Sequence, residues 1–172
     1  MKTVQLFLIL AALFSLSMIS GCNDCQADLE AKNKEIVRLS AEAIMNEDYE
    51  ALDQYMAADY VRHCQATPDA KVESLEEFIN LMKFWNEALS EAGMEMHLMA
   101  AEGDLVAFYA TFYGMNTGPM GDTPPTGKRM DSETFGFHRL KDRKIVETWV
   151  TWDNMAIMQQ LGLIPPPEKK QP

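Results

Sequence analysis

Residues 147–153, Glu147-Thr148-Trp149-Val150-Thr151-Trp152-Asp153, decide how this chain is read. Threonine, tryptophan and valine favour a strand. The run ends in a carboxylate, and Asn154 to Leu161 then forms a short amphipathic helix stopped by Gly162. Asp153 has two readings. At a strand end among aromatics it faces an apolar cavity, where burial disfavours its charged form and makes it an acid or base near neutral pH. Alternatively it caps the helix that follows, since aspartate is a favoured N-cap.

Upstream, Arg129 to Leu140 and Lys144 to Trp152 form a hairpin about Asp142-Arg143. If Leu140 faces Ile145, then His138 faces Glu147 and Ser132 faces Asp153. Strand alternation puts Ile145, Glu147, Trp149, Thr151 and Asp153 on one face, with His138 and Leu140 beside them. A single bulge would shift this register. Phe135, Phe137, Val146, Val150 and Trp152 fall on the other face, which is too apolar for water and predicts a homodimer anchored by Trp152.

The rest of the chain supplies the other wall. Ile36, Leu39, Ala43 and Ile44 recur at helical spacing between Ala31 and Asn46, and a second short helix follows at Tyr49 to Met56. Asp59 to Gln65 reads as a strand. Ser74-Leu75-Glu76-Glu77 is a capping box opening a helix whose apolar face holds Phe78, Met82 and Trp85, and Gly93 ends it. Met94 to Ala101 and Leu105 to Met115 are strands about Glu102-Gly103-Asp104, and residues 116–127 are a glycine- and proline-rich loop. Helices followed by antiparallel strands predict an α+β fold.

Five segments in this order resemble the SnoaL-like polyketide cyclases (ester cyclases) of the nuclear transport factor 2-like superfamily: Tyr60-Val61-Arg62-His63, Ala101 to Val106, Gly118 to Lys128, Phe137-His138-Arg139-Leu140 with Lys144 to Glu147, and the Trp149 to Asp153 run. The resemblance implies a cone-shaped fold, with N-terminal helices packed on a curved antiparallel sheet and a pocket between them. It implies cofactor-free acid/base chemistry of cyclase, isomerase or hydrolase type on a small hydrophobic molecule. Asp153 matches the family's acid/base, and the family pairs through its sheet. By position, His138 is a second candidate catalytic residue, and His63, Trp85, Glu147 and Trp149 are candidate substrate contacts. Each has a plainer reading. His138 and Glu147 make a solvent-side cross-strand pair, His63 is a structural histidine, and the tryptophans are core. No ligand spacing among His63, Cys64, His138 and Asp153 predicts a metal. A non-catalytic binding protein is the alternative to the enzyme.

The N-terminus separates this chain from biosynthetic cyclases. Lys2, an apolar run from Val4 to Ile19, then Ile19-Ser20-Gly21-Cys22 read as a bacterial lipoprotein signal: residues 1–21 removed, Cys22 lipidated, residues 22–30 a tether, 31–163 the domain and 164–172 a proline-rich tail. This predicts a domain in the cell envelope, attached to a membrane through its lipid alone. The chain carries a net charge of −11. Loss of residues 1–21, whose one charge is Lys2, makes it −12. So acidic a surface argues against nucleic acid and against direct adhesion to anionic lipid. Cys25 and Cys64 either pair in an oxidising compartment or leave Cys64 as a buried thiol.

Overall fold

The computed structural model describes residues 25–165. Residues 25–45 form α1, whose buried positions include Val37, Ser40 and Ala43. Its solvent side carries Arg38 between Glu35 and Glu42, and Lys32 paired with Asp28 four residues back. The helix is already formed at residue 25, so most of the expected tether is helical. Asn33 Nδ2 donates to Gly103 O at 2.9 Å and Gly103 N–H donates to Glu30 Oε1 at 3.1 Å, which ties α1 to a strand turn.

A 3-10 turn (Tyr49–Ala51) and α2 (Leu52–Tyr55) lead into β1 (Met56–Cys64). Then come α3 (Leu75–Ala88), β2 (Leu89–Glu102), β3 (Leu105–Asn116), β4 (Arg129–Lys141), β5 (Lys144–Trp152) and α4 (Asn154–Leu161). The strands make one sheet in the order β1-β5-β4-β3-β2. All neighbours are antiparallel except β1, which joins β5 in parallel. This is the expected α+β arrangement of helices on a curved sheet. One core gathers Val37, Leu52, Tyr60, Phe78, Val106 and Ile145, and a smaller one under α4 gathers Ala88, Leu89, Met130 and Leu161.

The Ser74 cap of α3 forms, and the return bond from Glu77 goes to the residue before the cap. Ser74 Oγ accepts from Glu77 N–H at 3.2 Å, and Glu77 Oε2 accepts from Glu73 N–H at 2.7 Å. The far end of the helix differs from expectation. It stops at Ala88 and turns straight into β2, so Gly93 lies inside the strand. A Cβ on Gly93 would lie 2.4 Å from the Tyr113 hydroxyl oxygen, so this glycine makes room for a tyrosine and does not end a helix.

The β4–β5 hairpin holds the decisive difference. Asp142 and Arg143 have φ of 51° and 62°, as a two-residue turn matched to strand twist requires. Leu140 faces Ile145 as expected, but Arg139 faces Glu147 and His138 faces Thr148. Val146 is thus a bulge, one residue of β5 without its own partner. Beyond it every side chain is on the opposite face from the one expected. Thr148, Val150 and Trp152 point toward the helices, while Glu147 and Trp149 point away. The physical cause is non-local: bulges bend and twist a strand, and β5 must also accept β1, whose pairing shifts between Met56 and Val61.

Candidate functional site

Between α1, α3 and the inner face of the sheet lies a cavity of about 180 Å³, open to solvent on one side. An engineered apolar cavity of about 150 Å³ takes benzene, so this space suits a small organic molecule. Its wall is chiefly apolar. Trp85 and Phe78 come from α3, Phe108 and Phe112 from β3, and Val150 and Trp152 from β5. Met45, Met82, Met94, Met96 and Met130 also line it, and unbranched thioether chains let such a wall adapt in shape.

The polar groups are few and aligned. Arg62 on β1 faces Thr148 on β5, which faces His138 on β4, so the three form one row across the sheet floor. His138 Nδ1 lies 2.8 Å from Thr148 Oγ1. Its ring stacks on Phe108, with centroids 4.7 Å apart and planes 17° from parallel. Phe108 itself lies against Gly136, where a Cβ would come within 2.6 Å of the Phe108 ring. The missing side chain at Gly136 therefore seats Phe108, and Phe108 fixes the imidazole. The surface that His138 retains opens onto the cavity, and enclosure by protein pushes its pKa down to about 4. It is neutral at pH 7. Burial likewise pushes the Tyr60 phenol up to about 12, an effect partly offset by Thr148 and Arg62.

Of the residues selected from sequence, His138 and Trp85 line this cavity. Asp153, Glu147 and Trp149 do not, because the bulge places β5 one residue out of the expected phase, and His63 does not, because it lies on the outer face of β1. Asp153 is exposed and caps α4, with Ala156 N–H donating to Oδ1 at 3.0 Å. The placement expected for it, at the inner end of the cavity, is corrected: it borders a shallow outer depression with Phe135, Thr151 and Met155. Glu147 stands on the outer face between His63 Nε2 at 2.8 Å and Arg139 Nη1 at 3.0 Å, and His63 stacks on Trp149 at 5.3 Å. The expected His138–Glu147 pair does not form.

Arg62, Tyr60 and Thr148 were missed. Tyr60 and Arg62 share one strand face and Val61 and His63 the other, so choosing His63 was choosing the wrong face. The signal available was that Tyr60, a large aromatic that needs burial, is in phase with Arg62. The outer apolar set is also corrected. Phe135 and Phe137 are exposed as expected, but Val150 and Trp152 turn inward, while Leu98 is exposed and Tyr109 stacks on Phe135 at 4.6 Å. Cys25 and Cys64 are both free thiols. Among the described residues, no three His, Cys, Asp or Glu side chains are grouped to hold a metal ion, and no helix is long and apolar enough to cross a membrane.

Comparison with solved structures finds the same fold in IdmH, a candidate polyketide cyclase from Streptomyces antibioticus, at 24% identity and a TM-score of 0.67, covering 76% of this chain and 98% of that one. AclR, a candidate hydroxylase from Streptomyces galilaeus, matches at 24% identity and a TM-score of 0.70, over 81% of this chain and 87% of that one. A candidate SnoaL-like polyketide cyclase from Jannaschia sp. CCS1 matches at 21% identity and a TM-score of 0.71, over 81% and 96%. A cyclase and a hydroxylase among these names illustrate that one fold hosts several reactions. Comparison with curated proteins returns no match. The model of the SnoaL-like polyketide cyclases matches residues 34–161, a span from α1 to the end of α4 that takes in the whole cavity, and the chain belongs to that family.

Proposed function

We propose that this protein takes a small, largely apolar molecule into the cavity and moves a proton on it without a cofactor, with His138 as the acid/base group. The observation that carries this reading is an imidazole anchored at one nitrogen in a chiefly apolar enclosure, where burial disfavours its charged form. When Nδ1–H donates to Thr148 Oγ1, Nε2 is left as an acceptor. Burial lowers its proton affinity, so the C–H bond it attacks must be acidified by the substrate's own carbonyl groups, and the proton is returned within one turnover. In a ring closure, Nε2 would take the proton from the carbon beside a carbonyl. That carbon would then bond to a second carbonyl carbon, and the resulting alkoxide would recover the proton.

Asp153 at its cap supports the second reading, a binding protein without chemistry. One experiment separates them. Small molecules that copurify with the protein are extracted, identified by mass spectrometry and returned to wild type, His138→Gln and Asp153→Asn. Conversion by wild type and Asp153→Asn, but not by His138→Gln, is the expected result. Binding without conversion by any of the three supports the binding protein, and loss only in a folded Asp153→Asn returns the acid/base role to Asp153.

Two further proposals concern where and how it works. The apolar run and Cys22 lie outside the described residues, and we read them as a lipoprotein signal that places the domain in the cell envelope. Because α1 is already helical at residue 25, the domain would sit close to its anchor. Cys22→Ser should move the protein from the membrane to the soluble fraction; equal partition of both forms would refute the anchor. The exposed Phe135, Phe137 and Leu98 support a homodimer through the outer sheet face. Phe137→Glu should shift sedimentation of the unlipidated domain from dimer to monomer, and a wild-type monomer at micromolar concentration would refute it.

A further inference from the structure

We propose that the cavity recognises a small organic carboxylate, an otherwise apolar monoanion whose charged end pairs with Arg62. This deepens the function given above and rests on the same cavity. Arg62 lies on β1 with only 9% of its surface exposed. Its Nη1 is shut off from solvent and has no hydrogen-bond partner. Among the described residues it pairs with no carboxylate, and the cavity wall contains no aspartate or glutamate. Its guanidinium lies over Trp152, 5.4 Å from the ring centroid. That contact leaves the in-plane N–H donors unspent.

A guanidinium cannot escape burial by losing its proton, as a histidine can. An unpaired buried cation is costly unless something completes it. Its planar fork fits a carboxylate through two parallel bonds. The remaining wall argues for the rest of the ligand. Arg62 is the one cation lining the cavity among the described residues, so a phosphate dianion would be left half-neutralised, and the largely apolar space beyond it is wasted on a bare inorganic ion. Thr148, next to Arg62 in the row, offers a hydroxyl at the same level.

The probes are benzoate and cinnamate, each set against its uncharged amide of nearly equal shape. Binding to the purified protein is measured by calorimetry near neutral pH, with wild type, Arg62→Met, Arg62→Gln and Arg62→Lys. Wild type should bind each carboxylate at least about tenfold tighter than its amide, the scale of a charge-assisted bond. Arg62→Met and Arg62→Gln should bring that ratio close to one while still binding the amides, and Arg62→Lys should keep part of the preference. Amides that bind wild type as well as the carboxylates overturn the anion assignment and leave the cavity function standing. Failure of all four probes at about 10 mM overturns both. A preference that persists in a folded Arg62→Met also overturns the assignment, because a merely structural arginine would change stability and not the ratio. If Arg62→Met does not fold, the wild-type ratio and the other two variants decide.

Discussion

Asn116→Ala is expected to lower stability by about 3–5 kcal/mol, among the largest effects for a single substitution in this chain. Asn116 is fully buried at the end of β3. Its Nδ2 donates to Ala88 O at 3.2 Å and Gly118 O at 2.8 Å, and its Oδ1 accepts from Thr126 N–H at 2.8 Å and Thr126 Oγ1 at 2.9 Å. Every hydrogen-bonding capacity of the amide is used, and the four bonds reach three residues, Ala88, Gly118 and, twice, Thr126. Two carbonyls, an N–H and a hydroxyl lose their partner on truncation, and a buried orphan costs more than an average bond contributes. The packing leaves little room to adjust, since a Cβ on Gly118 would lie 2.0 Å from Glu87 O. Asn116→Asp should be about as damaging, because it sets a buried carboxylate against two carbonyl oxygens. Urea unfolding tests this as a fall in midpoint at constant slope. A loss under about 1 kcal/mol for the alanine variant would mean that water replaces the amide.

The second large effect is acid sensitivity through His138. Its folded pKa, near 4, lies below its ordinary 6.5. The unfolded chain therefore binds the proton more readily, and folding is favoured where the group is neutral in both states. The stabilisation is complete above about pH 6.5 and is lost as pH falls through about 4, a span of about 3 kcal/mol. The cause is burial, which strips water from the charged form. His138→Gln keeps a polar group beside Thr148 and should remove this slope between pH 6.5 and 4, leaving the acid loss that carboxylates produce lower down. An unchanged slope in the variant would show that His138 is hydrated and titrates normally.

The parts of this fold that could be read from sequence are those fixed by near neighbours. Ser74 and Glu77 set the start of α3 because the cap closes within one turn of chain. The turn at Asp142-Arg143 sets Leu140 opposite Ile145 because a two-residue turn leaves no other choice. Trp85 falls in the cavity wall because helical spacing puts it in phase with Phe78 and Met82. The family resemblance supplied the layering of helices on sheet. What failed was the phase of β5 beyond Val146 and the choice of face on β1. Both depend on how β1 and β5 meet across some eighty residues of chain, and no local pattern encodes that. The same error moved Asp153, Glu147 and Trp149 into the wrong wall and hid Arg62, because the row Arg62–Thr148–His138 exists only in the shifted register.

The bulge at Val146 makes strand pairing at one point a determinant of electrostatics. Strand alternation is a parity rule, and one unpaired residue inverts parity for everything after it. With Val146 absorbed, even-numbered residues of β5 line the chamber and it is cationic. If Val146 paired regularly with Arg139 instead, the same sequence would turn Glu147 inward, opposite His138, and the chamber would hold a carboxylate. A family member one residue shorter at this point would keep the observed pairing with no bulge, whereas one of equal length that paired regularly would offer a ligand a carboxylate. Equal length across Val146 in an alignment therefore does not by itself mean equal chemistry.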